Sequence, residues 1–468
     1  MTNFFPKYFA DRAIAVYVVL LLLVSVAFGY PITWYWWLFG LVEVGSFFYF
    51  SNAISKVWQR YQGKDLEHRL FLASAVIRII YVLFTYLFYE MMTGAPFEFA
   101  PGDSLWYHDM GCLGADIVWG ADIKWSVFFQ GVSLTDLGYP VWLTIVYSLT
   151  GKSIILSRCV KALISAGTAV LMYRIARRNF GESVGRMTAV FFMLMPNFIF
   201  YCGINLKETE MLFLSVLFIE KADHLMHSTK ASFTDIFLMI LAAAASYFFR
   251  GVLAVLLFLS FGCAIVLGNA RIKKGGKWVI EGLFILLFMG VLVWNRGAAI
   301  LGVGDYSSIQ AEQEANIQWR ATREGGNVLA ANASSAVYAP LIFTIPFPTM
   351  VDVGFQEDQI MIHGGNFVKN ITSFLTILAL ILLLKSGKWR DHMLPLSFML
   401  GYLLILIFSN YAHSERFHIP SLPFELMFAA YGVSQFKGKH KNWFTIWLAI
   451  IFIANIGWSW FKLRGRGM

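Results

Sequence analysis

Charge is what this sequence has least of. Asp, Glu, Lys and Arg make up 14% of its 468 residues, where soluble domains carry about 25%. That is too little polar surface to keep a folded chain of this length in water, which excludes a cytosolic enzyme and a nucleic-acid binder. Cysteine is scarce too. Cys112, Cys159, Cys202 and Cys263 lie mostly in or at the ends of apolar runs and lack metal-ligand spacing, so no disulfide framework is expected. A single Cys112–Cys202 bridge stays open. Soluble domains, low-complexity tracts and clear internal repeats are all missing.

What the chain has instead is apolar. It is 58% hydrophobic and 17% aromatic, with a mean hydropathy of +0.63. Repeated apolar runs of about 20 residues predict an all-α polytopic membrane protein. The runs fall near 13–30, 32–50, 68–92, 153–177, 184–203, 209–225, 232–249, 251–269, 278–296, 366–386, 391–409, 420–437 and 443–461, giving about 13 transmembrane helices (range roughly 11 to 14). The first run has no small-residue cleavage site and reads as a retained span.

The Lys/Arg bias then sets the orientation. With Lys7 and Arg12 inside, the inner loops hold Lys56, Arg60 and Lys64, then Arg174, Arg177, Arg178 and Arg186, then Lys385, Lys388 and Arg390. The long first outer loop, 93–152, is acidic, with Glu98, Asp103, Asp109, Asp116, Asp122 and Asp136. Lys462, Arg464 and Arg466 fall outside and conflict with the rule. Residues 138–150 are too short to span and read as a helix lying on the outer face. Residues 340–351, with three prolines, read as a re-entrant or surface segment. The formal net charge of +9 therefore reports membrane orientation and gives no sign of a nucleic-acid partner.

Three polar clusters gather on the outer side. Asp103, Tyr107, His108 and Asp109 share the stretch 102–109; they supply either a general base with substrate contacts or a solvated acidic loop. Lys207 and Glu208 sit where the chain turns back into lipid, as a functional pair or as a hairpin ion pair. His413, Arg416 and His418 precede Pro420, where a guanidinium suits a phosphate or merely snorkels. Arg250, between two apolar runs, is a weaker candidate of the same kind. Arg158 and Lys161 either line a polar groove or mark a misplaced boundary. Span centres are nearly free of charge apart from Glu43 and Glu281, which favours a surface enzyme over a transporter.

At these residues the chain resembles the polytopic glycosyltransferases of the GT-C fold that use lipid-phosphate sugars. The closest likeness is to bacterial relatives of the protein O-mannosyltransferases and aminoarabinose transferases. Asp103 to His108 resembles the first-loop catalytic acid motif, and Gly138-Tyr139-Pro140 the start of its reclining helix. Arg174 to Gly181 is similar to the basic inner turn. Met195-Pro196-Asn197 followed by Lys207-Glu208 matches a proline-broken span leading to a second acidic site. Arg416-Phe417-His418-Ile419-Pro420-Ser421-Leu422-Pro423 resembles the late Arg-Pro pattern. The likeness covers roughly 68–436. Gly102 and Ser104 flank Asp103, so the usual acidic pair is missing, and no large C-terminal soluble domain follows.

The resemblance implies an N-terminal transmembrane hairpin (1–67), a GT-C-like catalytic core (68–436, with outer loops 93–152 and 297–365) and a C-terminal helix with a short tail (437–468). It implies transfer of a sugar from a polyprenyl-phosphate carrier to a glycan, lipid or protein acceptor by inverting single displacement. Asp103 is the expected base; Lys207, Arg250, Arg416, His413, Tyr107 and His108 are the expected donor or substrate contacts. Asp109 and Glu208 are acceptor or metal candidates, with Mg²⁺ or Mn²⁺ the ion that hard oxygen ligands would suit, and no organic cofactor is expected. The expected setting is a bacterial inner membrane with the site facing the periplasm. One rival is an O-antigen-type polymerase or ligase using Arg320, Arg323 and His363. The other is a lipid-linked sugar flippase with functional charges near Arg158.

Overall fold

The computed structural model describes residues 3–28, 33–130, 132–228, 232–268, 339–351, 357–409 and 411–464, with four isolated positions between 315 and 322. The expected span 278–296 and the rival's Arg320 and Arg323 lie outside the described residues. Among those described, every regular element is a helix.

Lys7–Ala27 (α1) and Trp34–Val57 (α2) form the first hairpin, and Gly63–Thr93 (α3) follows. Gly102–Val118 (α4), the short Trp125–Phe129 (α5) and Gly138–Thr150 (α6) lead into Ile154–Phe180 (α7). Then come Glu182–Leu194 (α8), Pro196–Phe200 (α9), Glu208–His227 (α10), Phe233–Phe249 (α11) and Gly251–Leu267 (α12). The last part holds His363–Ser386 (α13), Met393–Phe408 (α14), the single turn Glu415–His418 (α15), Leu422–Ser434 (α16) and Lys441–Arg464 (α17). One apolar core runs from Phe5 to Leu463.

Seven described helices are long and apolar enough to cross a membrane, with α11 and α12 as shorter apolar helices; the protein is an integral membrane protein. Of the six other expected spans, 278–296 lies outside the described residues and five take a different form. The run 184–203 breaks at Pro196 into α8 and α9, because proline cannot continue the hydrogen-bond ladder. The run 209–225 is a helix, but one that buries Glu208, Glu210, Glu220 and Asp223. The run 420–437 yields the 13 residues of α16, a length of about 20 Å.

Other expectations are corrected or met locally. The first outer loop is largely helical through α4 and α6, and α6 has the limits 138–150 read from sequence. Residues 342–351 are mostly buried rather than lying on a surface; Lys369 Nζ donates to the Ile345 carbonyl at 2.6 Å. The bridge between Cys112 and Cys202 does not form: both are free.

Two features position the site. α3 ends at Gly94, whose φ of +78° is left-handed, a conformation only glycine takes freely; the chain leaves there into the 95–101 loop. α4 then packs closely on α6 across Gly111 and Gly114. A Cβ at Gly114 would lie 2.0 Å from Thr144 Oγ1.

Charges separate to two ends of the bundle. At one end Arg174 binds Glu67 at 2.6 Å, and Arg178 binds Glu220 at 2.9 Å and Asp223 at 2.7 Å. Arg186 donates to the carbonyls of Trp58, Gln59 and Tyr61. These are the arginines the Lys/Arg bias assigned to one side. α17 starts near Tyr8 and Arg12 and delivers Lys462 to the opposite end, within electrostatic reach of Glu415. The conflict noted for the C-terminal basic residues is thus a real placement of Lys462 beside the acidic end.

Candidate active site

At that second end, three segments distant in sequence meet. Arg416, on the α15 turn, donates through Nε to Glu208 and through NH1 to Asp103. Asp103 opens α4, Glu208 opens α10, and Arg416 lies between them. Glu208 is fully buried, whereas the Asp103 side chain is 65% exposed. The guanidinium thus joins a deep carboxylate to an accessible one. Burial by itself would lower the Arg416 pKa; the flanking carboxylates override this and raise it.

A second cationic group adjoins the first. Lys207 donates to Asp136 and, at 2.9 Å, to the Phe249 carbonyl. That carbonyl is free because the chain breaks between α11 and α12 at Arg250. Arg250 lies 4.7 Å over the Phe417 ring and donates to Tyr402 OH at 3.3 Å. Glu208 feels both Arg250 and Lys207. Burial lowers the Lys207 pKa against the opposing pull of Asp136. Asp103, Glu208, Lys207, Arg250 and Arg416 are therefore brought together.

Tyr107 stays within electrostatic reach of Asp103, Glu208 and Arg416, and the other expected residues have different partners. Tyr107, one turn after Asp103, is buried edge-on against Tyr139 at 4.9 Å. His108 points toward α6, where its Nδ1 meets Tyr147 OH at 2.9 Å; burial lowers its pKa. Asp109 is exposed, with His108 and Cys112 as its electrostatic neighbours. His413 is half-buried before α15 and acts electrostatically on His418. His363 is fully buried against Trp36, its Nδ1 facing the Ile360 carbonyl at 3.0 Å.

Asp109 and Glu208, each a candidate to orient the acceptor or hold a cation, lie in different surroundings. One is exposed, and the other is buried under Arg416. Among the described residues no three His, Cys, Asp or Glu side chains gather as metal ligands.

Arg158 and Lys161 are buried clamps. Arg158 binds Asn205 at 3.0 Å and the Pro96 carbonyl at 2.7 Å. Lys161 binds the carbonyls of Ile204, at 2.7 Å, and Leu206. They fix the loop that presents Lys207 and Glu208, where the flippase reading wanted a charge facing a central cavity.

Beside Asp103 opens a cavity of about 350 Å³, lined by Glu98, Asp358, Glu415 and Arg416 among others. Sequence reading counted Glu98 only as one acid of the loop and passed over Asp358. Asp358 docks the 357–361 turn on the first outer loop by accepting the Phe99 N–H at 2.9 Å and the Ala100 N–H at 3.3 Å. No local motif announces it: its partners lie 258 and 259 residues away.

Residues 137–294 match the family model described as dolichyl-phosphate-mannose-protein mannosyltransferase. The match begins one residue before α6, covers Lys207, Glu208 and Arg250, and stops short of Arg416. No curated protein and no solved structure matches the chain.

Proposed function

We propose that the chain is a glycosyltransferase of the dolichyl-phosphate-mannose-protein mannosyltransferase family and that it moves a sugar from a polyprenyl-phosphate carrier to an acceptor hydroxyl. The family match supports a lipid-phosphate sugar as donor. A GT-C architecture, an inverting mechanism and a site on the periplasmic face of a bacterial inner membrane belong to the same proposal.

The observation that carries it is Arg416 held between exposed Asp103 and buried Glu208. In the proposed reaction the acceptor oxygen attacks the anomeric carbon while the bond from that carbon to the phosphate oxygen breaks. The hydroxyl proton passes to Asp103, and the bonding pair leaves with the phosphate. Arg416, Lys207 and Arg250 neutralise the charge that develops there, an electrostatic contribution often the largest in such transfers. Guanidinium geometry suits a phosphate, so donor binding draws Arg416 from Asp103 and frees the base when it is needed. Glu208 holds the guanidinium from below. Tyr107 and His108 serve by packing α4 on α6.

The test is transfer by purified protein from a polyprenyl-phosphate sugar to a candidate acceptor. Asp103→Asn is expected to lower the rate by about 10²–10⁴-fold while membrane insertion and expression stay normal. Full activity in that variant would remove Asp103 as base.

A further inference from the structure

The turn that carries Arg416 is fastened by two buried groups the transfer step leaves unused. α15 is four residues long, too short to hold its own shape. His418 ends it and is 1% exposed. Its Nε2 donates to the Ala412 carbonyl at 2.7 Å, which ties the chain before the turn to its last residue. Its Nδ1 lies 2.6 Å from Lys369 Nζ on α13. A carbonyl only accepts, so Nε2 carries the ring proton and Nδ1 accepts from the ammonium. Burial, then the Lys369 charge, lowers the His418 pKa, in keeping with a neutral ring. Lys369 is 2% exposed and donates also to the Ile345 carbonyl at 2.6 Å. Glu425 Oε2 stands 4.0 Å off, beyond hydrogen-bond reach.

We propose that Lys369 and His418 are positioning residues for Arg416, the ammonium fixing the imidazole and the imidazole fixing the 412–418 turn. Neither lines the cavity beside Asp103, so both act through the backbone of that turn. The need for them follows from what Arg416 does. A guanidinium that leaves Asp103 for a phosphate cannot anchor its own backbone during the exchange. Gln359 and Arg250 meet the turn at Glu415 and Phe417, but Arg250 is itself a proposed phosphate contact. The tie from Lys369 to His418 uses no group that changes partner in transfer. Its base is α13, a helix of 24 residues, so the turn is referred to a long element of the bundle.

The inference rests on the proposed transfer for the role of Arg416, so the test reads polyprenyl-phosphate binding as well as turnover. Both are measured on purified full-length protein in lipid nanodiscs. His418→Phe keeps the bulk of the ring and removes both of its ties. It should lower kcat/KM and weaken polyprenyl-phosphate binding, each by about tenfold or more. Lys369→Met combined with Glu425→Gln removes both charges and strands no buried carboxylate. That double variant should lose transfer as His418→Phe does, while melting closer to wild type than Lys369→Met alone. In an Arg416→Met background each loss should shrink to less than about twofold, because nothing is left to position. A loss that persists in full without Arg416 would reduce the pair to packing, and a His418→Phe protein with wild-type rate and binding would overturn the inference outright. Wild-type protein that binds polyprenyl phosphate through Arg416 yet transfers no sugar would count against the glycosyltransfer reading alone. The binding measurements in the two backgrounds then decide the positioning role.

Discussion

At the 174–223 end of the bundle, Arg178 is caught between Glu220 and Asp223, and Lys221 covers the second oxygen of Glu220 at 3.1 Å. Asn179 adds a bond to Asp223 at 2.9 Å. At the Asp103 end, buried oxygens of Glu98 and Glu208 lack hydrogen-bond partners, and the central guanidinium divides itself between two acids. Both ends gather similar residues. An oxygen of Glu220 also lacks a hydrogen bond, so the difference lies in ion pairing. Glu220 and Asp223 have cationic partners that hold helices together. Glu98 and Asp358 line a cavity with no ion pair among the described residues, open to a substrate.

The largest effect should come from the residue that spans the open end. Arg416→Met removes the partner of a fully buried carboxylate and the proposed phosphate contact together. Transfer should fall at least 10²-fold, and detergent-solubilised protein should lose about 3–5 kcal/mol of stability. Arg416→Lys separates the two roles: a single ammonium restores charge but cannot present Nε and NH1 to two carboxylates. Its melting temperature should recover more than its rate. Equal recovery of both would reduce Arg416 to a structural ion pair and erase the contrast between the ends.

Arg178→Met is the matching test at the closed end. It should cost about 3 kcal/mol, the low side for a broken buried pair, since Lys221 and Asn179 still cover its acids. Transfer per folded molecule should stay within about twofold. A rate loss larger than the loss of folded protein would show that the two ends communicate.

Much of this contrast is legible in the sequence. The Lys/Arg bias sorted Arg174, Arg178 and Arg186 to one side and Asp103, Lys207, Glu208 and Arg416 to the other, and the geometry assembles each set as a unit. The limits of α6 were also readable, because the apolar stretch 138–150 is too short to cross and a crossing there would put Arg174 to Arg186 outside. Three features were not readable. Among the described residues, expected spans differ from the helices where hydropathy windows treat short, broken or acid-bearing helices as full crossings. The helicity of α4 was hidden in a stretch that reads as an acidic loop. Glu98 and Asp358 matter through a tertiary contact between two loops, and no spacing rule reaches across it.

Asp358 offers a gentler way to probe the open end. Burial raises its carboxyl to about 7, and the negative charge of Glu98 adds to this, with Glu357 a smaller contributor. Tyr89 and Tyr201 also feel it, and Arg416 lines the same cavity. The folded pKa lies above the unfolded value, so the contribution to stability is full at low pH. It is lost as pH rises through about 7. The melting temperature should therefore drop across that range, and Asp358→Asn should flatten the drop. An unchanged slope in the variant would place the titration on another group.

The smallest effect is expected at Asp109, and it tests whether the open end is confined to one face of α4. Six residues separate Asp109 from Asp103, which turns it about 120° around the helix. Tyr107, four residues on, stays near the Asp103 face and within reach of Glu208 and Arg416. Asp109 is exposed, and its electrostatic neighbours His108 and Cys112 lie on the α6 side. Removing an exposed charge without an ion pair should change stability by no more than about 0.5 kcal/mol. Asp109→Asn should also transfer sugar within about twofold of wild type. A loss approaching that of Asp103→Asn would mean the acceptor wraps α4 and contacts two of its faces, and the site would then extend well beyond the cavity that Arg416 closes.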